Sequence, residues 1–132
     1  MGIEEKEQLV LVALPDTTDF WRKDGPILVH LLEENGFSVL WVTSSKDVLP
    51  EINTQRPSAI LTLSDWALEI GLMSFVKGKI PTVCLISQET WQNHRDTWFE
   101  ELFHPPLHEY VSIPGGMEEI IIRLKGVMNV LE

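Results

Sequence analysis

The chain is poor in cysteine and in basic residues, and these shortages exclude several classes of protein. Cys84 is the single cysteine, so no internal disulfide can form, and its apolar surroundings at 83–86 predict a small buried thiol. Ten Lys and Arg residues stand against twenty Asp and Glu residues, for a formal net charge of −10. Nucleic acids and anionic membranes need clustered cations, so we expect neither as a partner.

Long hydrophobic runs and glycine-rich loops are also missing. No apolar stretch approaches the roughly 18 to 20 residues of a membrane span, and the acidic N-terminus does not resemble a signal peptide. The loop at 15–20 lacks the glycines of a nucleotide site, although Thr17 and Thr18 leave a flavin-phosphate contact as a minor alternative. Prolines separate His104 from His108, and no third ligand lies near them. We expect a cytoplasmic protein without a metal or cofactor.

Apolar runs and segments of helical periodicity alternate along the chain. The runs predict five strands: 9–14, 37–42, 57–65, 80–87 and 110–113. The other segments predict five helices: 27–34, 44–52, 66–76, 89–103 and 117–131. Strict alternation requires a parallel sheet with helices on both faces. We therefore predict one α/β domain over 1–132, a doubly wound (βα)5 sandwich with strand order 2-1-3-4-5 and a disordered tail at 1–7.

The order and spacing of these segments resemble the receiver domains of response regulators. A short strand, a turn at Pro114-Gly115 and an amphipathic helix close the chain, as they close that family. Residues 30–57 match the family's spacing without a gap, and Ile80-Pro81 stands where its fourth strand begins. Tyr110, three residues before Ile113, occupies the place of the family's switch aromatic. The resemblance covers about 9–131 and implies the flavodoxin-like receiver fold.

The resemblance also implies a phosphorylation chemistry whose residues this chain lacks. Receivers use an acidic pair after the first strand and an aspartate ending the third to hold Mg²⁺, and that aspartate accepts a phosphoryl group from a histidine kinase. A hydroxyl after the fourth strand and a lysine after the fifth contact the phosphoryl oxygens. Aligned without gaps, these five positions fall on Ala13, Leu14, Leu63, Ile86 and Ile113. We therefore expect a degenerate pseudo-receiver, with the fold kept and the phosphorylation site lost.

Two aspartates keep a phosphoacceptor alternative open. Asp16 and Asp65 each lie two residues after an aligned position, and a shift of two preserves the face of a strand. Longer first and third strands would therefore carry both carboxylates to one rim of the sheet. In this alternative Asp65 is the phosphoacceptor, Asp16 and Asp65 bind Mg²⁺, and Ser87 is the switch hydroxyl. No nearby lysine replaces Ile113.

Aromatic residues late in the chain indicate protein contacts. Trp91, Trp98 and Phe99 lie on the predicted helix 89–103, where they would either pack on the sheet or form an interface. Together with Tyr110 they are the predicted interface residues. We expect a signalling module without enzymatic activity, unless Asp65 accepts a phosphoryl group. Its expected partner is a protein, such as a histidine kinase or an output domain, and the resemblance adds a homodimer through the fourth helix, fifth strand and fifth helix.

Overall fold

Five strands form one parallel sheet in the computed structural model, which describes residues 8–16, 19–76, 79–87, 108–113 and 117–129. The strands are β1 Gln8–Ala13, β2 Phe37–Val42, β3 Ala59–Leu63, β4 Thr82–Ser87 and β5 His108–Ile113. Their order across the sheet is β2-β1-β3-β4-β5, and all neighbours are parallel. The predicted parallel α/β class is confirmed, because continuous apolar runs do form strands that are buried on both faces.

Helices cover both faces of this sheet. They are α1 Asp19–Glu34, α2 Val48–Gln55, α3 Ser64–Glu69, α4 Leu72–Val76 and α5 Met117–Asn129. Successive strand residues point to opposite faces, so β1 contributes to two apolar clusters. Val12 packs in a cluster with Leu28 of α1 and Leu124 of α5, whereas Leu11 packs with Ile52 of α2. The sheet therefore lies between α1 and α5 on one face and α2, α3 and α4 on the other.

The first helix begins earlier than its sequence predicts. It starts at Asp19 instead of residue 27 and contains Pro26, which local propensity places in a loop. Gly25 lets this part of α1 pack closely on β2, because a Cβ at this position would come within 2.7 Å of the Trp41 ring. Close packing of α1 on β2 therefore outweighs the local preference of Gly25-Pro26.

The predicted third strand and third helix also have different boundaries. β3 ends at Leu63, and Ser64 and Asp65 are already the first residues of α3. The predicted helix 66–76 is divided into α3 and α4 by Gly71, whose φ of 65° favours glycine because the residue has no Cβ. Ser44 occupies the N-cap position of a 3-10 turn, Ser45–Asp47, that precedes α2, and its side chain forms no capping hydrogen bond.

Other predictions lie outside the described residues. These are the disordered tail at 1–7 and the helix at 89–103, so the full count of five strand and helix pairs stays a prediction. Within the described ranges, no helix has the length and apolar character needed to cross a membrane.

Candidate functional site

The five positions that align with the phosphorylation site of receivers lie at the carboxyl ends of four strands. Ala13, Leu63 and Ile113 are the last residues of β1, β3 and β5. Leu14 follows β1 directly, and Ile86 is the last residue but one of β4. Ligands of open parallel sheets collect at this edge. The structure therefore brings all five positions to the edge of the sheet where a receiver holds its acidic and basic groups.

Apolar packing fills this carboxyl edge wherever the side chains are described. Ala13 and Leu14 are 0% exposed and Ile86 is 1% exposed. Leu14 and the half-buried Leu63 pack in the cluster under α1 and α5, whereas Ala13 and Ile86 pack in the cluster on the other face. A buried carboxylate loses its hydration at a cost of several kcal/mol unless a cation offsets it. The side chains of these residues therefore contribute to the core and offer no oxygen ligand for Mg²⁺.

Hydrogen bonds to β2 hold the end of β1 in place. The Leu14 N–H donates to the Val42 carbonyl at 3.1 Å, and the Trp41 indole Nε1–H donates to the Leu14 carbonyl at 2.9 Å. The Trp41 ring also lies against Gly25 of α1. Both polar backbone groups of Leu14 thus have partners within the protein. No local sequence pattern indicates this arrangement, because it joins residues that are far apart in the chain.

Thr62 is a buried polar residue near the end of β3, and no sequence pattern indicates its role. It is fully buried in β3, and its Oγ1–H donates to the carbonyl of Ala13 at 3.1 Å. The strand register places Ala13 directly opposite Thr62, which explains the contact. A buried hydroxyl without a partner would cost about 1 to 3 kcal/mol, so this bond stabilises the junction of β1 and β3.

The two aspartates of the phosphoacceptor alternative lie beyond the strands. β1 ends at Ala13 and β3 ends at Leu63, so the longer strands expected in that alternative are wrong. Asp16 lies in the loop before α1, where Arg22 Nε donates to its backbone carbonyl at 3.5 Å. Asp65 lies in the first turn of α3, and both carboxylates are exposed. The described ranges contain no group of three or more His, Cys, Asp or Glu residues that could hold a metal ion.

The predicted interface residues and the predicted switch hydroxyl are largely untested. Trp91, Trp98 and Phe99 lie outside the described residues. Of Tyr110 and Ser87 the structure describes the backbone alone, in β5 and at the end of β4. Their roles stay predictions.

Cys84 lies in the middle of β4 and is fully buried, as its apolar surroundings predict. Burial raises the pKa of its thiol from 9.0 to about 12, because the thiolate would lose its hydration. A thiol with this pKa is almost entirely protonated at neutral pH and is a poor nucleophile. Cys84 therefore has the properties of a core residue.

Solved structures of receiver domains share this architecture. No protein-family model matches the sequence, and no curated protein matches it significantly. A response regulator receiver protein from Sinorhizobium medicae has a TM-score of 0.71 at 12% identity, with 96% of this chain and 98% of that chain covered. The Francisella response regulator 1452 receiver domain has a TM-score of 0.71 at 18% identity, with 96% and 100% covered. A receiver domain protein from Methanospirillum hungatei has a TM-score of 0.71 at 10% identity, with 95% and 96% covered. This chain has the receiver fold.

Within the receiver fold, the chemistry of the carboxyl edge depends on the residues of this particular chain. The described side chains there are alanine, leucine and isoleucine in the aligned positions, namely Ala13, Leu14, Leu63 and Ile86. Carboxylates occur nearby at Asp16 and Asp65, but neither belongs to a strand. The receiver scaffold is therefore present with an apolar carboxyl edge.

Proposed function

We propose that this chain is a signalling module that uses the receiver fold for protein contacts and is not phosphorylated. The observation that carries the proposal is the burial of Ala13, Leu14 and Ile86, each at most 1% exposed. A phosphoryl-transfer site needs oxygen ligands for Mg²⁺ and a cation for the phosphoryl oxygens. Apolar residues in those positions supply neither. The proposal includes a cytoplasmic location and no bound cofactor or metal.

The proposed contact surface consists of the predicted helix 89–103, β5 and α5. Trp91, Trp98, Phe99 and Tyr110 are its proposed anchors, because large aromatic side chains carry much of the energy of protein interfaces. Exposure on α5 supports the choice of surface, since Ile122 is 67% exposed. The proposed occupant is a histidine kinase, an output domain or a second copy of the chain.

A second candidate is a phosphoacceptor at Asp65, with Asp16 as a further Mg²⁺ ligand and Ser87 as the switch hydroxyl. Exposure of both carboxylates and the position of Asp65 directly after β3 and Ser64 favour it. The isoleucine at 113 opposes it, because no lysine at that position offsets the phosphoryl charge.

A phosphoryl mimic separates the two candidates. Mg²⁺ with beryllofluoride is added to the wild type and to Asp65→Asn, and tryptophan fluorescence is recorded, because the half-buried Trp66 lies beside Asp65. The pseudo-receiver proposal expects no saturable change in either protein. A saturable change in the wild type that Asp65→Asn abolishes would establish the phosphoacceptor and overturn the proposal.

Two exposed isoleucines allow a matched test of the contact surface. Ile122 of α5 is 67% exposed and Ile27 of α1 is 52% exposed. Ile122→Asp and Trp98→Ala should weaken self-association or partner binding in sedimentation velocity, while Ile27→Asp should leave it unchanged. Equal effects of Ile122→Asp and Ile27→Asp would contradict the proposed surface. The surface would also be contradicted if the wild type neither self-associates at any concentration nor binds any kinase or output domain that is offered.

A further inference from the structure

A groove of about 320 Å³ lies at the amino edge of the sheet, opposite the carboxyl edge. It is bounded by the last turns of α2 and α4 and by the segments that lead into β3 and β4. Most of its lining is apolar, from Ile52, Pro57, Phe75, Val76 and Ile80. Phe75 is 42% exposed, so a large apolar side chain meets solvent there. Ligand pockets in proteins are typically concave and mostly apolar, with volumes of roughly 300 to 1,000 Å³.

The remaining lining residues are polar: Asn53 and two cations, Arg56 and Lys79. Arg56 and Lys79 are both exposed, and among the described residues neither forms an ion pair with an acidic side chain. This is a local excess of positive charge in a chain with a net charge of −10. A guanidinium binds a carboxylate through two parallel hydrogen bonds, and an ammonium adds a point charge. The groove therefore pairs an apolar floor with groups that recognise an anion.

The backbone at Arg56 gives an independent reason to assign a role to its side chain. Arg56 ends α2 in the left-handed conformation, with φ 49° and ψ 63°, and its N–H donates to the Ile52 carbonyl at 3.0 Å. Glycine occupies the left-handed positions after α1 and α3, at Gly36 with φ 90° and Gly71 with φ 65°. This conformation is unfavourable for a residue with a side chain, because its Cβ comes too close to the following carbonyl oxygen. An arginine in this unfavourable conformation points to a function of the guanidinium.

Helix polarity offers a simpler account of the same cations. The C-terminal end of a helix carries a partial negative charge, so a basic residue there is stabilising without any ligand. Arg56 and Lys79 both lie near such ends. This account explains the charges but not the apolar groove between them, and it predicts no binding of an anion.

The size of the groove selects the class of occupant. A stable protein interface involves roughly 20 to 30 residues on each side, whereas eight residues line this groove. We propose that the groove binds a small organic carboxylate with an apolar body, held by Arg56 and Lys79 with its hydrocarbon part against Phe75 and Ile80. This inference goes beyond the proposed signalling function and does not depend on it.

A pair of probes with the same apolar body, one with a carboxylate and one with a neutral amide, tests the inference. 4-Phenylbutyrate and its neutral amide are titrated into the ¹⁵N-labelled full chain, and amide chemical shifts are followed. The carboxylate should give saturable shifts at residues 52–56, 75–76 and 79–80. It should bind at least about tenfold more tightly than the amide, since hydrogen bonds between charged groups are stronger than those between neutral groups. Equal affinity of the two probes would overturn the assignment.

Three variants locate the binding groups. Arg56→Gly and Lys79→Gln should each weaken 4-phenylbutyrate binding by about tenfold or more. Lys46→Gln removes an exposed lysine at the other end of α2 and should leave binding unchanged. Equal weakening by Lys46→Gln would show a general charge effect and contradict the site. Thermal unfolding of each variant checks that the fold is kept.

Two further outcomes would also overturn the proposal. One is the absence of saturable shifts with 4-phenylbutyrate up to about 10 mM, since weaker binding corresponds to less than about 3 kcal/mol. The other is a capped Leu-Glu-Phe-Asp peptide that binds at least tenfold more tightly than 4-phenylbutyrate, because the groove would then belong to a protein partner.

Discussion

The carboxyl and amino edges of the sheet have opposite properties. At the carboxyl edge, Leu14 and Ile86 are buried apolar residues in the positions where the receiver resemblance places polar groups. At the amino edge, Arg56 and Lys79 line an open groove with an apolar floor. Open α/β sheets ordinarily bind ligands at the carboxyl edge. A fold determines where a site is ordinarily built, whereas the residues at the strand ends decide whether it is used.

The two edges also differ in how their polar backbone groups are satisfied. Leu14 has partners for both its N–H and its carbonyl, and the Ala13 carbonyl accepts the buried hydroxyl of Thr62. Each such bond contributes about 0.5 to 1.5 kcal/mol. Arg56 instead adopts a conformation that costs energy. The carboxyl edge is thus arranged for stability, and the amino edge contains the strained residue expected of a functional site.

An acid introduced at the carboxyl edge should have the largest effect on stability. Leu14→Asp buries a carboxylate in a fully buried position, and the free energy of unfolding at pH 7 should fall by about 3 to 5 kcal/mol or more. Urea denaturation followed by circular dichroism measures this loss. A stable Leu14→Asp variant that binds Mg²⁺ would contradict this difference between the edges, because one substitution would then create a metal site at the carboxyl edge.

Leu14→Asn separates the effect of charge from the effect of lost packing. Burial raises the pKa of a carboxyl group, so Leu14→Asp should match Leu14→Asn below about pH 4, where the acid is protonated in both states. As the pH rises above that value, the Asp variant should become progressively less stable than the Asn variant. Parallel pH profiles for the two variants would indicate that the carboxylate is hydrated.

Gly25→Ala tests the contact that holds the end of β1. The added Cβ would lie 2.7 Å from two atoms of the Trp41 ring, and the bond from Nε1 to the Leu14 carbonyl limits the movement of that ring. We expect a loss of about 1 to 3 kcal/mol in urea denaturation. Gly126→Ala is the matched control, because nothing lies within 4 Å of its added Cβ in α5, and it should stabilise by roughly 0.5 to 1 kcal/mol. Similar results for the two changes would exclude this contact.

The strands and most of the helices could be predicted, because the sequence pattern of each one lies within its own segment of the chain. Apolar runs such as 9–14 and 37–42 are continuous, and the segments between them have helical periodicity. The start of α1 was not predictable, because Gly25-Pro26 favours a loop locally and the helix depends on packing against Trp41. Tertiary contacts of this kind override local propensity.

The two edges also differ in how far the sequence predicts them. Spacing alone places Ala13 and Ile113 at strand ends, so the apolar character of the carboxyl edge could be predicted. The groove could not, because it combines Ile52, Phe75 and Ile80 from separate elements. The left-handed conformation of Arg56 has no local signature either, since glycine is the usual residue at such a position.

The titration of the Cys84 thiol indicates whether water is excluded from the core between the two edges. Burial raises the pKa of this thiol to about 12 in the folded state, whereas in the unfolded chain it stays near 9.0, so above pH 9 the unfolded chain loses its proton first. The free energy of unfolding should therefore fall by about 1.4 kcal/mol per pH unit above that value. Cys84→Ala should lack this component, and urea denaturation at about pH 8 and pH 10 compares the slopes. Equal slopes would indicate a hydrated thiol.

Arg56→Gly should have the smallest effect on the free energy of unfolding, and it should raise this free energy where Leu14→Asp and Gly25→Ala lower it. Glycine adopts φ 49° without a Cβ penalty, so the variant should be more stable by up to about 1 kcal/mol, after the greater flexibility of glycine in the unfolded chain is subtracted. Arg56→Ala removes the same charge but keeps the strained backbone, so its stability in urea denaturation should not rise. If Arg56→Gly alone is more stable than the wild type, the arginine lowers the stability of the amino edge. If both variants are less stable, Arg56 is a stabilising residue and the two edges do not differ in this respect.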